Sequence, residues 1–109
     1  MPCETERHAQ EWEVSMFATI RVYAGNTDLI DALLGHESDV RRLITEIDGF
    51  RSYYLLRTAD GGAASVSVYE TQAGASASDG AARAWINQNL PDLDVAPPQV
   101  LAGDVLLTF

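Results

Sequence analysis

The feature that most constrains this chain is the order of its periodic segments. Residues 16–23 alternate at strand period: Ala18, Ile20 and Val22 point one way, Phe17, Thr19, Arg21 and Tyr23 the other. The pair Asp48-Gly49 closes a helical stretch whose apolar positions Ile30, Leu33, Leu34, Val40, Leu43, Ile44 and Ile47 recur at helical spacing. Thr27 or Asp28 is its expected cap, and Gly35 either splits or weakens it. Residues 50–58 are rich in aromatic and large apolar side chains that favour a strand, and Asp60-Gly61-Gly62 is a hairpin signal. Residues 64–70 then alternate again, with Val66 and Val68 on one side and Ser65, Ser67 and Tyr69 on the other.

The small, polar stretch 71–79 reads as a loop, after which Ser78 or Asp79 caps a second helix bearing Ala82, Trp85, Ile86 and Leu90 on one side. Pro91 stops it, and 100–109 read as a final strand, with Gly103 as the place for a bend. The resulting order is β-α-β-β-α-β, the ferredoxin-like arrangement of the α+β class, with an antiparallel sheet and two helical segments on one side of it. The expectation is that the Ala18/Ile20/Val22 and Val66/Val68 side lies under the helices, because helix stripes need an apolar partner. The side bearing Phe17, Thr19, Arg21, Tyr23, Ser65, Ser67 and Tyr69 is then uncovered. Large aromatics on an uncovered sheet invite a second copy, so a homodimer burying about 1,200–2,000 Å² is expected.

At 109 residues the chain has the length of one domain. Residues 1–15, mixed in charge and without apolar period, read as a flexible extension, leaving 16–109 as the folded domain. With 16 acidic against 7 basic residues and a formal charge of -9, a continuous phosphate-binding surface is excluded, so neither nucleic acid nor an anionic membrane is an expected partner. All seven basic residues are Arg, from which no function follows. Cys3 is the only cysteine, which excludes a disulfide framework and a cysteine-based metal site. Nothing in the stretch 1–15 resembles an apolar leader, and no later run reaches the roughly 20 apolar residues of a membrane span. The expectation is a cytoplasmic protein.

Gly49-Phe50, residues 53–56, Asp60-Gly61-Gly62, residues 65–70, and 82–90 with Trp85 give the chain a further likeness. It resembles the antibiotic biosynthesis monooxygenase-like group of dimeric α+β barrel proteins, over 16–109 in element order. The resemblance implies two ferredoxin-like subunits that join their sheets into a barrel, with a pocket between each sheet and its own helices. It also implies cofactor-independent oxygenation of a small aromatic or quinol-type molecule, or, as the alternative, a non-catalytic dimeric binding or stress-related module. A haem-degrading relative would carry an Asn on the first strand and a haem-ligand His. Here that strand holds Thr19 and Arg21, and the second helix has Trp85 but no His.

An oxygenase without a cofactor needs its substrate deprotonated to an electron-rich anion, hence a base and a cationic partner. His36, the one histidine of the domain, is the candidate base, against an exposed helix residue beside Glu37. Arg21 is the candidate oxyanion holder, against pairing with a carboxylate or lining an interface. Tyr23, Tyr53, Tyr54 and Tyr69 are candidates to orient a phenolic ligand, against core packing with the hydroxyl satisfied at an edge. Trp85 is a stacking surface or a core anchor, and Asn26 a pocket amide or a turn residue. Neither a metal nor a cofactor is expected: His8 and Cys3 have no metal-ligand spacing, and Asp60-Gly61-Gly62 precedes no helix that would make it a phosphate loop.

Overall fold

The computed structural model describes residues 16–24 and 28–109. The expected extension at 1–15, the turn amide Asn26 and the cap Thr27 lie outside the described residues. Strands β1 (Phe17–Tyr23), β2 (Phe50–Arg57), β3 (Ala63–Tyr69) and β4 (Gln99–Asp104) form one antiparallel sheet in the order β2-β3-β1-β4. Three helices, α1 (Leu29–Gly35), α2 (Glu37–Thr45) and α3 (Gln72–Asn89), complete the ferredoxin-like α+β fold.

The expected first helix is broken in two at His36, whose φ of -118° and ψ of 33° leave the helical region. The chain resumes at once, because the Val40 amide donates to the His36 carbonyl at 3.0 Å. The hairpin forms at Asp60-Gly61-Gly62, where Gly61 takes a φ of +87° that favours glycine. Gly62 permits a close approach: a Cβ there would sit 2.7 Å from the Tyr23 carbonyl oxygen.

Residues 72–79, read as loop from their small polar side chains, belong to α3. Their alanines favour helix, and Thr71 caps it, Oγ1 accepting from the Gly74 amide at 3.0 Å. Gly74 brings this first turn against the sheet, since a Cβ would lie 3.0 Å from the Asp48 carbonyl oxygen and 3.1 Å from Tyr69. The helix ends before Pro91, as expected. The last strand stops at Asp104, with one further bond from the Val105 amide to the Met16 carbonyl at 3.0 Å, because β1, its neighbour among the described residues, begins at Phe17.

The expected assignment of the two sheet sides is overturned. Thr19, Arg21, Tyr23, Ser65, Ser67 and Tyr69 are buried beneath the helices. Ala18, Ile20, Val22, Val66 and Val68 face the open side, where register aligns them with Tyr54, Leu56 and Leu101. Size decided the matter against polarity. The helix side carries the bulky Phe17, Tyr23, Tyr53, Leu55 and Tyr69, which fill the space under α1–α3, and its polar groups find partners there. Two clusters make the core, one around Leu29, Ile30, Leu33, Tyr23 and Ile86, the other around Ile44, Tyr69 and Ala75. No helix among the described residues is long and apolar enough to cross a membrane.

Candidate functional site between the sheet and its helices

Arg21 is the centre of the site. It projects from the middle of β1 beneath α3 and is 2% exposed. One guanidinium nitrogen donates to Asp79 Oδ1 at 2.7 Å and to Ser78 Oγ at 3.3 Å, and the other donates to Ser67 Oγ at 3.1 Å. Thr19 Oγ1 donates to the same carboxylate at 2.9 Å, and Ser78 Oγ donates onward to the Ala75 carbonyl. A buried cation is tolerated only when paired and hydrogen-bonded, and this network supplies both. Ser78 and Asp79 therefore serve inside α3, not as its cap.

Around Arg21 lie the hydroxyls of Tyr23 and Tyr53. Burial raises the pKa of both, and the adjacent guanidinium partly offsets that rise. Both remain neutral hydrogen-bonding groups at physiological pH. Ser65, beside Arg21 on the neighbouring strand, is 3% exposed. Tyr53 stands beside it, and a hydrogen bond from Ser65 to the Tyr53 oxygen partly offsets the rise in the tyrosine's pKa.

These polar groups form one end of a pocket whose remaining walls include Leu33, Val40, Leu43, Leu55, Trp85 and Ile86. Its free space is about 30 Å³, room for about two water molecules. Next to it, a groove of about 380 Å³ runs between α2 and β2.

The structure brings Arg21, Tyr23, Tyr53 and Trp85 together and places His36, Tyr69 and Tyr54 elsewhere, while Asn26 lies outside the described residues. His36 sits at the α1–α2 junction, half exposed, 3.6 Å from an Asp39 carboxylate oxygen. It reaches the pocket only through Trp85, whose ring it meets edge-on at 5.2 Å and 74°. Tyr69 is core: its hydroxyl donates to the Ile44 carbonyl at 2.6 Å, and its ring meets Phe50 edge-on. Burial raises its pKa as well. Tyr54 lies on the open side of the sheet, 60% exposed.

Sequence reading did not single out Ser65 or Asp79. Its missed signal is the pairing of Thr19-Ile20-Arg21 with Ser65-Val66-Ser67, a polar stripe that spans two central strands. Among the described residues no three His, Cys, Asp or Glu side chains gather as a metal site.

No protein-family model matches the chain, and no curated protein matches it significantly. Solved structures do share its fold. A Nitrosomonas europaea protein assigned to the antibiotic biosynthesis monooxygenases superposes with a TM-score of 0.64 at 19% identity, over 84% of this chain and 90% of its own. A similarly assigned Bordetella bronchiseptica protein gives 0.60 at 20% identity, over 85% and 99%. A monooxygenase of Streptomyces coelicolor, solved with the ligand nanaomycin D, gives 0.58 at 19% identity, over 87% and 89%. At these identities the likeness establishes the fold, in agreement with the resemblance read from the sequence.

Proposed function

We propose that the protein binds a small aromatic or quinol-type molecule in the pocket between its sheet and helices, and oxygenates it with molecular oxygen and no bound cofactor. The observation that carries this reading is Arg21: a buried guanidinium at the polar end of an otherwise apolar pocket, beside two tyrosine hydroxyls and the Ser65 hydroxyl. Three monooxygenases or proteins so assigned share the fold, which supports the reaction class.

Arg21, already paired with Asp79, acts on a ligand as a hydrogen-bond donor more than as a free cation. It suits a phenol or quinol oxygen, whose anion it and the tyrosines stabilise, lowering the substrate's own pKa. The substrate anion is the reductant. In the keto tautomer of an anthrone-type phenol a ring CH₂ becomes C=O: one oxygen atom of O₂ enters the product, and the other leaves as water with the two substrate hydrogens. Both electron pairs come from the C–H bonds that break.

The apolar open side of the sheet supports a homodimer formed sheet to sheet. Tyr54, Leu56 and Leu101 are each about half exposed there, among Ile20, Val22 and Val66. A patch of this kind is covered in most folded proteins.

One observation favours a second reading, a binding module without chemistry. His36, the only imidazole among the described residues, stands outside the pocket, and among those residues no Asp, Glu or other His lines it.

Aerobic incubation with anthrone-like and quinol-type phenols, following oxygen uptake, tests the proposal. Uptake above the protein-free rate that falls at least about tenfold in Arg21→Lys, which keeps the charge but loses the planar donor fork, is the expected result. Uptake never exceeding that rate rejects the oxygenase reading and leaves the binding module.

A further inference from the structure

A further concavity opens where the C-terminal half of α3 meets the connection into β4. Arg83, Ile86 and Asn87 of α3, Tyr23 of β1 and residues 95–98 line it, and it holds about 150 Å³. Tyr23 and Ile86 also line the pocket around Arg21, so the two are neighbours, whereas Arg83, Asn87 and residues 95–98 do not line that pocket.

The lining is chemically divided. Pro97 and Pro98 have no amide hydrogen to donate, and with Val95, Ile86 and the Tyr23 ring they make an apolar wall. The Tyr23 hydroxyl is already engaged by Arg21. Polar recognition therefore falls to Arg83 and Asn87, one helical turn apart on α3. Arg83 also stands out from the other arginines. Arg21, Arg41, Arg42, Arg51 and Arg57 each lie 2.7 to 3.9 Å from a carboxylate oxygen. Arg83 makes no such pair among the described residues, in a chain of 16 acidic and 7 basic residues.

We propose that this concavity binds a small monocarboxylate whose apolar body is about the size of one six-membered ring. The carboxylate lies against Arg83 and the Asn87 amide, and the body lies against Val95, Pro97, Pro98 and the Tyr23 ring. This goes beyond the oxygenase reading and does not depend on it.

Three physical arguments set the ligand class. A guanidinium only donates, in a planar fork that matches two carboxylate oxygens, so Arg83 selects an anion over a neutral oxygen. A single cation in a chain of charge -9 disfavours a dianion such as phosphate. A space of about 150 Å³ holds a benzene-sized body, which excludes fused rings. The fixed φ of each proline keeps the apolar wall in place before the ligand arrives, and that lowers the cost of ordering it.

The test is a titration of the whole chain, followed by NMR, with benzoate, cyclohexanecarboxylate, acetate and benzamide. Benzoate and cyclohexanecarboxylate are expected to bind at least about tenfold more tightly than acetate, which lacks the body, and benzamide, which lacks the charge. Arg83→Gln weakens benzoate at least about tenfold and leaves benzamide unchanged. Ala96→Phe, which fills the concavity from an exposed position, abolishes benzoate binding without lowering the melting temperature. Arg41→Gln, at the groove between α2 and β2, leaves it unchanged.

Benzamide binding as tightly as benzoate overturns the recognition of charge, and acetate doing so overturns the apolar wall. Benzoate affinity that survives both Arg83→Gln and Ala96→Phe, or that falls in Arg41→Gln, places the ligand elsewhere and overturns the site. Absence of benzoate binding at about 20 mM overturns the proposal outright. None of these outcomes bears on oxygen uptake, which is read separately through Arg21→Lys.

Discussion

The two sides of the sheet have exchanged the roles that their polarity suggests. The side under the helices carries Thr19, Arg21, Ser65 and Ser67, all 3% exposed or less. The open side carries Ile20, Val22, Val66 and Val68, with Tyr54, Leu56 and Leu101 half exposed. A self-sufficient domain of this size would place the apolar side inward, since apolar burial is the main driving force of folding. The inversion teaches that burial here serves two ends. The helices enclose a polar site, and the apolar side of the sheet is left open, where the proposed second copy would cover it.

The ion pair is the place to strike the covered side hardest. Asp79→Ala leaves Arg21 buried and uncompensated, and urea unfolding should show a loss of about 3–5 kcal/mol. Replacing both partners, Arg21→Met with Asp79→Leu, should recover most of it. If Asp79→Ala costs less than about 1 kcal/mol, the network does not hold the covered side together.

Tyr69→Phe comes next. Its hydroxyl is the partner of the Ile44 carbonyl, and the variant should lose about 1–3 kcal/mol in the same measurement. A neutral result would place the tie outside the energetics of the covered side.

The covered side should also set an alkaline limit. Tyr23, Tyr53 and Tyr69 all have pKa values raised above 10.0 by burial. In the unfolded chain they ionise near pH 10, while in the folded chain they keep their protons. The unfolded state thus binds fewer protons there, and stability, constant below about pH 10, falls as pH rises toward the folded values. Denaturant midpoints between pH 8 and 11 should show this decline. Stability that stays flat or rises there would mean that these tyrosines are not desolvated.

His36→Ala should have the smallest effect. Its edge-on contact with Trp85 contributes at most about 1 kcal/mol, and aromatic binding should be unchanged, since the imidazole does not line the pocket. Loss of ligand affinity or of oxygen uptake on this substitution would return His36 to the site.

The order of elements was legible in the sequence because strand alternation, helix period and the Asp60-Gly61-Gly62 turn are local signals. The start of α3 was not, because small polar residues such as Ser76 and Ser78 suit a loop as well as an alanine-rich helix, and contact with Tyr69 decides between them. The roles of the sheet sides were not legible either. Alternation reveals that two sides differ, but not which one the crossover helices cover, and a polar stripe can be buried only if a carboxylate arrives from 58 residues away, as Asp79 does for Arg21. Four of the candidate residues, Arg21, Tyr23, Tyr53 and Trp85, converge in space. Ser65 was read only as part of a polar sheet side, because its place beside Arg21 and Tyr53 emerges only once the strands are paired.

The exchange of roles between the two sheet sides is tested most directly by sedimentation velocity on the wild-type protein and on Leu56→Arg, a substitution on the open side that touches neither the core nor the pocket. The account predicts a dimer at micromolar concentration for the wild type and a folded monomer for the variant. A wild-type monomer, or a dimer indifferent to Leu56→Arg, would contradict it.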